Sequence, residues 1–129
     1  MIYEALFSLL TANSDVAALV GTRVYPVKMP DDPQLPAISL QVADGDRGDS
    51  LEGSDGLASE LVQIDCWSRD MDQVKDLAKK ARAALRGYRG TVAGLTIGGI
   101  LGWRETDLFD EDAEIFHVSC LCRVWHSDA

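Results

Sequence analysis

The sequence predicts an α+β fold: a largely antiparallel, twisted sheet with helices packed on one face. Three observations lead there. Segments 37–43, 57–68 and 113–125 alternate apolar and polar residues with period two, and most of the strands are near neighbours in sequence. One long amphipathic run of helical period, Met71 to Leu85, separates the earlier strands from the later ones. Finally, 129 residues with 47% hydrophobic and 26% charged side chains have room for one core, so residues 1–129 are expected to form a single domain.

Taken in order, residues 2–12 confine Glu4, Ser8 and Thr11 to a narrow polar stripe, and Ile2, Tyr3, Leu6, Phe7, Leu9 and Leu10 fill the rest of the wheel, which predicts a mostly buried helix. Ser14 is the expected cap of a second, two-turn helix carrying Val16, Leu19 and Val20, with Gly21 as its stop. Arg23-Val24-Tyr25 reads as a brief strand. All four prolines then fall in residues 26–36, which are expected to be an ordered but irregular connection.

Ile38, Leu40 and Val42 line one side of the strand Ala37–Ala43. Residues 44–56 hold four glycines and five acids (Asp44, Asp46, Asp49, Glu52, Asp55) against one Arg, and predict a mobile acidic surface loop. The strand Leu57–Ser68 puts Val62, Ile64 and Cys66 on one face and Leu61, Gln63, Asp65 and Trp67 on the other. Asp70 with Gln73 resembles a capping box at the start of the principal helix, which Gly87 should end. Six of the 11 glycines lie in 87–102, so the strand Leu95–Leu101 is expected to bend or bulge at Gly98-Gly99. Trp103–Phe109 and Ala113–Trp125 should form a terminal hairpin around Asp110-Glu111-Asp112, with Phe116, Val118, Cys120, Cys122 and Val124 on a single face. The element order is therefore ααβββαβββ.

Several function classes are disfavoured at this level. The net charge of −9 has the wrong sign for gripping nucleic acid phosphates or an anionic membrane. Met1-Ile2-Tyr3-Glu4 has no basic region of the kind that opens a secretory signal, and the apolar stretch 94–103 is about half of the roughly 20 residues that span a bilayer. Three cysteines form no disulfide framework, and Cys120-x-Cys122 in a strand suits core packing better than zinc. His117 points away from Cys120 and Cys122, against a nucleophile pair. Neither acidic cluster matches an EF-hand, and no dinucleotide, P-loop, nucleophile-elbow or zincin motif occurs, so no catalytic, metal or cofactor residues are expected.

Charge placement is more informative. Lys75, Lys79, Arg82 and Arg86 form a basic stripe beside the apolar stripe of the principal helix, and six of the 12 basic residues lie between Lys75 and Arg89. The stripe is either a solvated helix face or a docking surface for acidic segments such as 44–56. Leu61, Trp67, Leu121 and Trp125 share the sheet face opposite the core, which either helices or a partner should cover.

Asp15-Val16-Ala17-Ala18-Leu19-Val20-Gly21-Thr22-Arg23-Val24-Tyr25-Pro26, then Leu35-Pro36-Ala37-Ile38, then Val62-Gln63-Ile64-Asp65-Cys66-Trp67, then Ala84-Leu85-Arg86-Gly87 resembles the phage tail completion proteins, which are similar in fold to tail terminators. The resemblance runs in order through residues 3–125 and departs from the pattern at Ala37 and in the acidic loop. It implies a structural protein of long-tailed phages and prophages, without catalytic residues, cofactor or membrane partner. It also implies a hexameric ring on the head-proximal end of the tail tube, assembled in the host cytoplasm, that stops tube growth and meets the head connector, with DNA passing but not specifically bound. Interface candidates are Lys75, Lys79, Arg82, Arg86, Asp44, Asp46, Asp49, Glu52, Asp55, Trp67 and Trp125. The rival readings are another ring-forming neck protein, an acidic DNA mimic that inhibits a DNA-binding enzyme, and a hydrolase using clustered acids.

Overall fold

Ile2, Leu6 and Leu10 recur every four residues, and a helix places them on one stripe; in the computed structural model, which describes residues 2–46 and 57–127, they are buried in helix α1 (Ile2–Ala12) together with Ala5. Helix α2 (Ser14–Val20) follows after a single residue. Its cap is Asn13 and not Ser14: α1 ends at Ala12, Asn13 takes an extended backbone, and its Oδ1 accepts the Asp15 and Val16 N–H groups at 3.0 and 3.1 Å. Helix α3 (Met71–Leu85) is capped by Asp70, which accepts the Gln73 N–H at 3.1 Å, and it buries Val74, Leu77, Ala78, Ala81 and Leu85.

Among the described residues six strands accompany the helices: β1 (Val24–Pro26), β2 (Ala37–Asp46), β3 (Leu57–Ser68), β4 (Gly90–Val92), β5 (Leu95–Asp110) and β6 (Ile115–Ser127). They form one sheet in the order β1-β2-β3-β6-β5-β4, with β1 parallel to β2 and every other pair antiparallel. Helix α3 packs on β3 and β6, α2 on β2, and α1 touches both edge strands, so the sheet curls around the helical layer. The fold is α+β, with the helices on one face as expected.

The strands differ from expectation in three places, each through an irregularity. Strand β2 does not end at Ala43; a register shift between Val42 and Asp44 lets it run on to Asp46, so Asp44 and Asp46 are strand residues rather than loop. Residues 47–56, with Asp49, Glu52 and Asp55, lie outside the described residues. The two late strands expected at 95–101 and 103–109 are one strand, β5, interrupted by shifts between Ile97 and Gly99 and between Leu101 and Arg104. The first lies at the expected glycine pair. The second is served by Gly102, whose φ of +74° is a left-handed conformation that a side chain disfavours. Strand β4 escapes the sequence pattern because it is three residues long; Ala93 and Gly94, both at positive φ, turn it tightly into β5.

The core is the space between the helices and one sheet face. Val62, Ile64 and Cys66 of β3 and Val118, Cys120, Cys122 and Val124 of β6 are all buried there. At the upper end of the same face, His126 Nε2 meets Glu60 Oε2 at 2.5 Å, with both side chains nearly inaccessible. Truncating Glu60 to Ala leaves the imidazole buried without this partner, and we expect a loss of about 2 kcal/mol in denaturant-monitored stability. Glu60→Gln should lose less.

Burial pushes the Cys122 thiol up to about 12, and a hydrogen bond with Cys120, followed by burial, raises Cys66 well above its ordinary value. An unfolded thiol ionises near about 8.5. Between that value and the folded one, the native state holds more protons than the unfolded chain, so stability falls as pH rises. The thiols should therefore resist a thiol reagent until the chain unfolds, and Cys122→Val should reduce the alkaline loss of stability relative to wild type.

Candidate functional site

Helix α3 exposes its basic stripe beside β5, and the structure divides it. Lys75 Nζ contacts both carboxylate oxygens of Asp107 at 2.9 and 3.1 Å, and that hydrogen bond raises the lysine above its ordinary value. Arg82 reaches Glu105 at 3.4 Å, and the same carboxylate accepts the Trp103 indole N–H at 2.8 Å. Two of the four stripe residues are thus occupied within the chain. Lys79 and Arg86 are exposed and make no ion pair among the described residues. Lys75 and Asp107 are each more than two-fifths exposed; pairs this accessible contribute little to folding and can exchange partners.

The two register shifts of β5 set what each sheet face carries. The first moves Ile100 rather than Gly99 into the core, opposite Val124; the second restores the phase, so Glu105 and Asp107 face α3 while Arg104, Thr106 and Leu108 face away. Among the described residues no helix packs on that away-facing surface. It carries Leu101, Leu108 and Trp125, exposed by 54, 48 and 45%. Of the two tryptophans singled out, Trp125 is available. Trp67 is half-buried: its indole N–H donates to Ser39 Oγ at 3.0 Å, and the His117 ring stacks on it with centroids 3.8 Å apart. His117 Nε2 in turn lies 2.9 Å from Asp65 Oδ1, and Gln63 donates to both oxygens of that buried carboxylate. This array satisfies Asp65 within the sheet.

Sequence reasoning missed Leu101, Arg104 and Leu108 on this surface, because strict alternation cannot register two bulges. It also missed the lower end of the sheet, where Met71, Leu108, Phe109 and Phe116 line a cleft of about 190 Å³. Phe109 and Phe116 pack there with centroids 4.8 Å apart. The only advance signal was the apolar pair Leu108-Phe109 directly before an acidic turn. Asp44 is exposed on the away-facing side of β2, pairing with Leu61. The sites brought together are therefore the α3 stripe with β5, and Asp44 with Trp125 on one uncovered sheet surface. Among the described residues no group of three His, Cys, Asp or Glu side chains is placed to hold a metal ion, and no helix is long and apolar enough to cross a membrane.

An arrangement of backbone edges, exposed apolar side chains and exchangeable ion pairs is suited to binding other proteins. No curated protein matches the chain. Among solved structures, it is similar to a chain of the "Virion of native gene transfer agent (GTA) particle", with a TM-score of 0.75 and 21% identity over 98% of this chain and 94% of that one, a likeness of fold. The family model described as "Tail completion protein gp17" matches residues 4–127. The chain belongs to that tail completion family.

Proposed function

We propose that this chain completes the phage tail by closing into a ring of copies, six in number, on the head-proximal end of the tail tube. The ring ends tube polymerisation and offers its other side to the head connector. The observation that carries this reading is the uncovered sheet surface with exposed Leu101, Leu108 and Trp125, in a chain of the tail completion family. A closed ring needs two different complementary patches on each subunit. The exposed cations Lys79 and Arg86 of α3 and the exposed Asp44 of β2 supply a charge-matched pair. The net charge of −9 per copy suits a channel through which DNA passes without adhering.

Particles assembled without the protein should show tubes of irregular length and heads that lack tails in negative-stain images. Normal joined particles would sink the reading. Reversing Lys79 and Arg86 to Glu should leave circular dichroism unchanged and stability within about 0.5 kcal/mol, since both are exposed. The same double variant should fail to complete tails, because like charges brought together across an interface cost several kcal/mol. Wild-type protein should not retain duplex DNA at physiological salt.

A further inference from the structure

The two flanks of the sheet carry unequal short strands, and each leaves a stretch of long strand open. Strand β4 covers only Leu95–Ile97 of β5, and β1 covers only Ile38–Leu40 of β2. Beyond them, the lower half of β5 and the upper end of β2 have no strand partner on their outer sides among the described residues. The direction of each backbone group follows from the register. The Gly87 N–H donates to the Ile100 carbonyl at 2.8 Å, so Ile100 points its polar groups away from β6. Its β6 partner is Val124, and the alternate β6 residues Arg123, Leu121, Ser119 and His117 therefore bond β5. Arg123 pairs with Leu101, and past the second bulge Leu121, Ser119 and His117 pair with Arg104, Thr106 and Leu108, which leaves Glu105, Asp107 and Phe109 directing N–H and C=O outward. On β2, the Val42 N–H points outward to the Tyr3 hydroxyl at 3.0 Å; past its bulge Asp44 bonds β3, and Gly45 is turned outward.

We propose that the open edge of β5, from Glu105 to Phe109, pairs with the open edge of β2, Asp44–Asp46, in a second copy of this chain. The inference rests on the ring reading and names the contact that closes the ring. Three observations select this occupant. Strand β1 is blunted as a receiver: Pro26 has no N–H, and the Val24 N–H is already held by the Thr22 carbonyl at 2.8 Å. Self-pairing of two β5 edges would set Glu105 and Asp107 against their own copies, and like charges across a strand pair are destabilising.

The third is a match of faces. The outward residues of β5, Glu105 and Asp107, carry their side chains on the helix side, and Gly45 occupies the helix-side phase of β2, opposite Glu60. Joining outward groups to outward groups therefore aligns helix side with helix side and uncovered side with uncovered side. Arg104 and Asp44, both exposed and both on the uncovered side, then fall on one surface as opposite charges of neighbouring strands. The pairing joins edges at opposite flanks of the sheet, so each copy uses two different patches, as a ring requires.

The test is sedimentation velocity of the full chain at high protein concentration, for wild type, Asp44→Arg, Arg104→Asp and the double exchange. Each single variant should weaken self-association about tenfold or more, and the double exchange should restore most of it. A second pair of variants reads the backbone. Asp107→Ala and Asp107→Pro both lose the Lys75 contact, but only proline removes the outward N–H, so Pro should abolish association where Ala retains it. Circular dichroism of each variant checks that it folds. A wild type that stays monomeric overturns the ring reading and this contact with it. A wild type that associates while both single charge variants associate equally well, or while the double exchange is no better than the singles, overturns the contact alone.

Discussion

The register between β3 and β6 is the constraint on which the remaining architecture rests. Twelve residue pairs join the two strands without a shift, from Leu57 with Ser127 to Ser68 with Phe116. On one face this pairing stacks Val62, Ile64 and Cys66 beside Val118, Cys120, Cys122 and Val124, and α3 closes over them. A slip of one residue would turn every one of these side chains to the opposite face and expose the core. Because only two residues separate the end of β3 from the start of α3, the position of the helix over the sheet is tied to the same pairing. The basic stripe lies beside β5 for that reason.

With both central strands burying one face, the helices are all drawn to that side, and the other face must satisfy itself. It does so unevenly. Around Trp67 the stacked His117, the Ser39 hydroxyl and the Gln63-to-Asp65 contacts make a polar array within the sheet. Around Trp125, Leu101 and Leu108 nothing comparable is present, and apolar area remains in contact with water. Large apolar side chains left exposed on one sheet face are where a binding role is to be sought on a small protein.

Irregularities are concentrated in the two strands that flank the central pair. Strands β3 and β6 pair with one another without a bulge, whereas β2 has one and β5 has two. Bulges increase local twist and re-aim side chains, and here they both curl the sheet around α1 and decide which residues of β5 meet α3. Their cancellation in phase is what brings Glu105 and Asp107 to the stripe, and the same geometry leaves Lys79 and Arg86 as its exposed remainder. Short β1 and β4 protect only part of each outer strand, and Pro26 blunts the outer edge of β1 itself.

By itself the sequence determined the fold class, the three helices, the faces of β3 and β6 and the family. Each of these follows from local patterning: period two in 57–68 and 113–125, helical spacing of Val74, Leu77, Ala78, Ala81 and Leu85, and ordered motifs along the chain. The pairing of the basic stripe was not local. Lys75 and Asp107 are 32 residues apart, and Arg82 and Glu105 are 23 apart, so only the docking of α3 against a bulged β5 could bring them together. The extent of β2 and β5 was hidden for a related reason, since a bulge breaks the alternation that identifies a strand while the ladder hydrogen bonds resume on the far side. Which tryptophan is exposed was likewise a tertiary outcome: Trp67 and Trp125 have the same parity in the pattern, and only the neighbours supplied by other strands, His117 and Ser39 for the one and Gly99 for the other, separate them.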